Sequence, residues 1–356
     1  MTADFTETAP IRPGEELPLE RLAAWLHEHL PEAAGPLTIE QFPAGHSNLT
    51  YLVSSGGTQE FVLRRPPFGN QVKSAHDMGR EFRVLSRLCQ VFPAAPRPYV
   101  FCDDESVIGS PFYLMERRRG LILRKRSPSE IEITSEVARR LSTALIDQLA
   151  LLHSLDYQAA GLADLGRPEG YVQRQVSRWT GRYAHAKTAD VPAMNRVGDW
   201  LAEQHLPESA AAVIHNDYKY DNVVLDPEDP TRVIAVLDWE MATLGHPLMD
   251  LGTTLGYWIE AGDPPALQLT AFGPTAAPGS LTRRELVARY EEKTGRPVEN
   301  ALFFYCFGLF KIAVIVQQIY ARYVRGHTHD ARFADLGELV GVLAGQADAA
   351  IHSGTI

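Results

Sequence analysis

Leu19, Leu22, Leu26 and Leu30 recur at helical spacing ahead of Pro31, so a short helix is expected before the main fold. The period then shortens. Leu37 to Phe42 and Tyr51 to Val53 read as strands around the polar turn PAGHSN, and Phe61 to Arg64 follows Gly56-Gly57, which predicts an antiparallel meander. Ser74 and Asp77 resemble a capping box ahead of the apolar stripe Met78, Phe82, Leu85 and Cys89, so the spacing predicts a helix over about 75–89 with Glu81 beside the stripe. Pro111 to Met115 reads as a strand, and Ile131 to Ser154 is strongly helical, which places a lobe boundary near residue 118. The runs AAVI, VVL and VIAVL within 211–237 return to β, and the remainder is helical. Phe303 to Val316 is the most apolar stretch; it is interrupted by Lys311 and shorter than the roughly 20 residues a bilayer requires, so a buried helix is expected. Residues 1–17 are acidic, lack the blocks of a signal peptide and are expected to be a disordered tail. The architecture that follows is α+β and bilobal, with an antiparallel-sheet lobe over 18–118 and a mainly helical lobe over 119–356.

Charge and cysteine usage narrow the function. A formal net charge of −10 argues against a nucleic-acid binder, which needs a basic face and counterion release, and favours a small, locally recognised ligand. No membrane partner is expected either. Cys89, Cys102 and Cys306 are widely spaced without a CxxC pair, so neither a disulfide framework nor a zinc site is indicated, and a reducing cytoplasm fits.

The segment Ile214 to Leu225, IHNDYKYDNVVL, contains H-x-D-x-x-x-x-N in a loop between two short apolar runs. Phosphoryl transfer needs charge neutralisation, metal positioning and a group that aligns the attacking oxygen. Asp217 fits the aligning carboxylate, and the Asn222 amide oxygen fits a Mg²⁺ ligand. Asp238 follows the VIAVL run and supplies a second hard-oxygen ligand; Glu240 is either a further ligand or a plain surface carboxylate. Lys219 can approach a transferring phosphate as a point charge or stay solvated, whereas His215 and Asp250 fit structural roles, bracing the loop by hydrogen bonds.

Taken together, HNDYKYDN, VIAVLDWE and GHPLMDLG resemble the aminoglycoside phosphotransferase and choline kinase superfamily over about residues 37–325. Protein kinases proper are a poorer match, because Asp-Trp-Glu replaces Asp-Phe-Gly and no activation loop fits before GHPLMDLG. FPAGHSNLTY, FVLRRPP, REFRVL, YVQRQVSRW and FKIAVIVQQIYARY look like the branch related to the kinase domains of acyl-CoA dehydrogenase family members 10 and 11. The resemblance implies a protein-kinase-like fold, ATP or GTP with Mg²⁺, and transfer to the hydroxyl of a small molecule, notably a 4-hydroxyacyl-CoA. It also implies a nucleotide site made by Gly45, Ser47, Asn48 and Thr50 in the first turn, Arg64 where related kinases carry a Lys, its partner Glu81, and a hinge through Met115, Glu116 and Arg117.

On the acceptor side, Arg174, Arg178 and Arg182 form a ladder opposite the stripe Val172, Val176, Trp179 and Tyr183. Such a ladder suits an anionic acceptor and repels a cationic one, or is simply a solvated face. Arg117 to Arg119 and Arg124 to Arg126 are open to the same two readings, a coenzyme A phosphate site or a solvated patch. Three functions remain in play: a kinase for an anionic hydroxyl acceptor, an aminoglycoside- or choline-type kinase, and a nucleotide-binding pseudokinase.

Overall fold

The computed structural model describes residues 8–43, 48–68, 77–124, 131–206, 211–328 and 330–356. The chain divides into two compact units between Arg119 and Gly120.

The first unit opens with helix α1 (Leu19–His29), whose Leu22 and Leu26 are fully buried. Strands β1 (Leu37–Gln41), β2 (Leu49–Ser55) and β3 (Gln59–Arg65) form the expected antiparallel meander. Helix α2 (Met78–Leu88) is capped by the Asp77 carboxylate, which accepts from the Arg80 amide at 2.8 Å; Ser74 lies outside the described residues. Strand β4 (Pro98–Cys102), helix α3 (Glu105–Ile108) and strand β5 (Phe112–Glu116) complete a five-stranded sheet in the order β1-β2-β3-β5-β4. Strand β4 carries no apolar alternation because it is an edge strand, with only Cys102 buried, and Pro98 starts it where a missing N–H is tolerated. Tyr51, Val53, Phe61, Leu63, Phe112 and Leu114 form the core against α1.

Residues 8–17 depart from the expectation of a disordered tail. Ala9 pairs with Gln41 through both backbone bonds, at 2.8 and 3.0 Å, the Arg12 amide donates to Gln41 Oε1 at 2.9 Å, and Leu17 is buried. The segment reads as polar, yet it covers the otherwise unpaired edge of β1, and that backbone pairing leaves no hydrophobic signature.

The second unit contains α4 (Ser135–His153), α5 (Tyr171–Ala186), α6 (Pro192–Glu203), and four short strands: β6 (Ala212–Ile214), β7 (Val223–Leu225), β8 (Val233–Val236) and β9 (Thr243–Gly245). After them come α7 (Pro247–Tyr257), α8 (Pro265–Gln268), α9 (Arg283–Thr294), α10 (Ala301–Val324) and α11 (Leu336–Ser353). Strand β6 pairs with β9 and β7 with β8, both antiparallel.

Helix α10 is apolar nearly all round because α5, α6, α7 and α11 pack about it. It is long and apolar enough to cross a membrane by length and composition, and 78% of its apolar window is buried within the protein. Against α7 the approach is backbone to backbone: a Cβ on Gly308 would lie 2.0 Å from the Gly252 carbonyl oxygen, and one on Gly252 would lie 2.1 Å from that of Phe304. Glycine at both positions lets two helices that flank the HxD loop meet closely.

Candidate active site

Strand β6 ends at Ile214, and the next eight residues form the loop that leads into β7. Its first residues are fixed from beneath by α7. Asp250, fully buried, accepts the His215 amide at 2.6 Å, the Asn216 amide at 2.7 Å and His153 Nε2 at 3.1 Å. Burial alone would raise the Asp250 carboxyl; the bond and charge of His153, with the contribution of His215, outweigh it and hold the group below the usual carboxylate range. His153 in turn meets the Tyr290 hydroxyl through Nδ1 at 2.8 Å. The His215 ring lies 2.8 Å from the Leu237 carbonyl through Nε2, and its Nδ1 accepts the Asp217 amide at 3.2 Å. A carbonyl can only accept, so these two contacts select the neutral Nε2–H tautomer.

Asn216 sits in the left-handed region at φ 70°, which is uncommon for a residue with a Cβ, and every polar group it has is held. Its carbonyl accepts from Lys311 Nζ at 2.6 Å, its side-chain amide donates to the Met241 carbonyl at 3.1 Å, and its Oδ1 accepts from Tyr171 at 3.3 Å.

Three side chains donate to the Asp217 carboxylate. Tyr257 reaches Oδ1 at 2.8 Å, while Asn222 Nδ2, at 3.0 Å, and Lys219 Nζ share Oδ2. Asn222 Nδ2 also bonds the Asp217 carbonyl at 2.9 Å. Lys219 Nζ lies 4.8 Å from the centroid of the Tyr257 ring and 5.5 Å from that of Phe272, so its charge has aromatic faces beside the carboxylate. Desolvation and the adjacent Asp217 charge push the Tyr257 phenol well above its ordinary value, which keeps it a donor.

The β7–β8 hairpin joins Asn222 to Asp238. Val223 pairs with Val236, and the Leu237 amide donates to the Asn222 carbonyl at 2.8 Å, so Asp238 leaves its strand beside Asn222. Asp238 is also left-handed, at φ 68°. Trp239 is buried and anchors the following turn by donating from Nε1 to the Val236 carbonyl at 2.8 Å; Glu240 is half-buried in that turn. Because Asn222 directs Nδ2 at Asp217, its Oδ1 is the atom that remains for a cation. A carboxylate and an amide oxygen are hard donors, and Mg²⁺ commonly takes one or two such ligands and completes its shell with phosphate oxygens and water. Among the described residues no three His, Cys, Asp or Glu side chains gather into a metal cluster, so a closed cage of the zinc type is not built there. The donor set fits Mg²⁺.

In the first unit, Arg64 and Glu81 form a buried ion pair at 3.1 Å, with Arg64 opposite Thr50 in the β2–β3 register and Asn48 buried just before β2. Gly45 and Ser47 lie outside the described residues. Met115 is buried opposite Val62, and the Glu116 amide donates to the Arg97 carbonyl at 2.8 Å, so that N–H is committed within the sheet. The run after β5 is engaged locally: Arg117 lies over the Phe42 ring at 4.8 Å, Arg118 pairs with Glu116 at 2.9 Å, and Arg119 forks onto Glu60 at 2.9 and 2.6 Å.

The arginine ladder of α5 is shorter than its spacing predicts. The Arg174 guanidinium turns back to the Glu169 and Arg167 carbonyls ahead of the helix, leaving Arg178 and Arg182 exposed, the latter 4.5 Å over the Trp179 ring. Tyr257, Lys311, Tyr171 and His153 escaped the sequence reading as site residues. Only Lys311 carried a signal, a lone cation in an apolar run.

Residues 38–285 match the model of the phosphotransferase enzyme family. Rat acyl-CoA dehydrogenase family member 11 is 35% identical over 340 residues, covering 92% of this chain and 42% of the rat protein. Mouse family member 10 is 34% identical over 341 residues, covering 95% of this chain and 31% of the mouse protein. The chain thus spans well under half the length of these curated relatives. A crystal structure from Ralstonia eutropha, assigned to the aminoglycoside phosphotransferases, aligns with TM-score 0.80 at 35% identity over 95% of this chain and 99% of that one. Choline kinase from Cryptosporidium parvum shares the fold, with TM-score 0.64 at 12% identity over 94% and 97% of the two chains. With a family match across most of its length and the HxD loop, hairpin and Asp238 assembled as described, the chain belongs to the phosphotransferase enzyme family and has its bilobal, kinase-like α+β fold.

Proposed function

We propose that the protein transfers the γ-phosphoryl group of ATP or GTP to the hydroxyl of a small anionic acceptor, a hydroxy acid or a hydroxyacyl-CoA. The observation that carries the reading is the Asp217 carboxylate, oriented by Tyr257, Lys219 and Asn222 at the root of the hairpin that bears Asp238. In a loose transition state the attacking oxygen needs alignment more than a strong base, and a carboxylate fixed on both oxygens supplies it while accepting the hydroxyl proton late. Asn222 Oδ1 and Asp238, with Glu240 near them, would hold Mg²⁺, which when bound neutralises charge on the phosphate oxygens. Lys219 moves its charge from Asp217 toward the transferring group, and in the first unit Arg64, oriented by Glu81, supplies a cation for nucleotide phosphates, with Asn48 and the β2 residue Thr50 offering polar groups beside it.

Two observations support an anionic acceptor. Helix α5 touches the loop through Tyr171 and Asn216, and it exposes Arg178 and Arg182. The similar proteins are named as acyl-CoA dehydrogenases, for which a phosphorylated hydroxyacyl-CoA is a chemically apt companion, since phosphate leaves far more readily than hydroxide. Three free cysteines, of which Cys102 and Cys306 are buried, suit a reducing cytoplasm.

The test is to incubate the purified chain with ATP or GTP, Mg²⁺ and 4-hydroxyacyl-CoAs, free hydroxy acids, choline or an aminoglycoside, and to detect phosphorylated product by mass spectrometry. Transfer to a hydroxyacyl-CoA or hydroxy acid is expected. Transfer to a cationic acceptor alone overturns the substrate class, and nucleotide binding without transfer to any of them makes the protein a binding module.

A further inference from the structure

We propose that Lys311 is a positioning residue for the transfer reaction: its ammonium group clamps the Asn216 carbonyl and thereby fixes the aim of the Asp217 carboxylate. The inference rests on Asp217 being the catalytic carboxylate.

A lysine within an apolar helix is costly unless its charge is used, and Lys311 is 2% exposed. Its Nζ donates to the Asn216 carbonyl at 2.6 Å across 95 residues of sequence. That carbonyl belongs to the peptide group joining Asn216 to Asp217, and the N–H of the same group donates to His215 Nδ1 at 3.2 Å. One peptide plane is therefore held at both ends. Asp250 grips the preceding amide at 2.7 Å, and the left-handed Asn216 backbone is the kind of conformation that persists only when its surroundings over-determine it. Release of the carbonyl would let the Asn216–Asp217 peptide rotate, and the Asp217 side chain moves with it.

The charged groups acting on Lys311 come from α7, the loop and α5: Asp250 on α7, Asp217 and Lys219 on the loop, and Arg182 on α5, with the Trp179 ring 5.8 Å from Nζ. Burial pulls the Lys311 amine down to about 8; Asp250 and Asp217 oppose the fall, and Lys219 and Arg182 add to it. The clamp is a charge-assisted bond below that pH and a weaker amine bond above it. Stability moves the other way. A depressed lysine loses its proton in the folded state first, so this group's contribution to stability grows as pH rises from about 8 toward the ordinary value of about 10.4. A pH profile thus separates loop positioning from general support of the fold.

The experiment compares the full wild-type chain with Lys311→Met and Lys311→Gln. For wild type, kcat should fall on the alkaline side with a midpoint near 8, and one ¹³Cε-labelled lysine resonance should titrate there. Lys311→Met should lower kcat about 10- to 100-fold at pH 7 with little change in nucleotide KM, and lose the alkaline fall. Lys311→Gln, which keeps a neutral donor, should recover part of kcat with an equally flat profile. Amide exchange over residues 215–222 should quicken in Lys311→Met while β1 to β3 exchange as in wild type. Wild-type kcat in Lys311→Met, an unchanged alkaline limb, or unchanged exchange of the loop would overturn the clamp. The exchange readout needs no acceptor, so a chain that transfers phosphate to nothing overturns the kinase reading while the clamp is still judged by the exchange of the loop.

Discussion

The Tyr257 hydroxyl donates a 2.8 Å hydrogen bond to Oδ1 of Asp217, linking the last residue of α7 to the loop carboxylate. Oδ2 is taken by Lys219 and Asn222, so neither oxygen is left to choose its own direction. Tyr257→Phe removes one oxygen atom and keeps the ring beside Lys219. A bond to a charged group contributes about 1.5 to 3 kcal/mol, so kcat should fall roughly 10- to 100-fold with nucleotide KM nearly constant. Steady-state kinetics of the variant check this, and wild-type kcat would remove Tyr257 from the site.

Asp217→Asn and Asp238→Ala should fail differently. The first should lose about 10²- to 10⁴-fold in turnover yet still bind Mg²⁺ and nucleotide. The second removes the carboxylate proposed as a cation ligand just after the β7–β8 hairpin and should weaken Mg²⁺-nucleotide binding as well. Calorimetric titration with a non-hydrolysable nucleotide, with and without Mg²⁺, distinguishes them.

Arg178→Glu should raise KM for an anionic acceptor several-fold more than KM for nucleotide, because Arg178 is exposed on α5. Arg174→Ala should act on stability instead, since its guanidinium is engaged by the Glu169 and Arg167 carbonyls. Equal acceptor KM in wild type and Arg178→Glu would exclude that helix from the acceptor site.

Asp250 sets an acid limit on the fold. Its carboxyl is held below the ordinary value, so its contribution is complete above the unfolded value of about 3.9 and is lost as pH falls through the lower folded value. Asp250→Asn should be less stable than wild type at neutral pH, with the gap narrowing below about pH 4. Urea unfolding midpoints measured from pH 3 to 7 give the result; a constant gap would mean that the Asp250 charge contributes nothing.

Gly308→Ala tests the α7–α10 contact. Its Cβ would meet the Gly252 carbonyl oxygen at 2.0 Å, so the helices must separate, at about 1 to 3 kcal/mol or more. A lower melting temperature and reduced kcat should appear together, because α7 carries Asp250 and Tyr257 and α10 carries Lys311. Gly341→Ala on α11, where an added Cβ meets nothing within 4 Å, is the control.

Much of this protein is local in origin and therefore written in the chain order. The amphipathic spacing of Leu22 and Leu26, the alternating strands β1 to β3, and the run from His215 to Asn222 followed by a hairpin and Asp238 each depend on neighbours a few residues away, which is where periodicity and turn chemistry act. Arg64 and Glu81 came from the family resemblance rather than from local spacing, and their buried ion pair spans a strand and the helix after it. Tertiary packing alone decided the rest. Tyr257 is 40 residues from Asp217 and Lys311 is 95 from Asn216, distances over which no pattern in the sequence specifies a contact. Close helix packing at Gly252 and Gly308 accompanies those contacts. Arg174 shows the converse: its place in a ladder of arginines spaced four apart was legible, but the carbonyls that capture it come from how the chain enters α5, a backbone geometry that no side-chain spacing encodes.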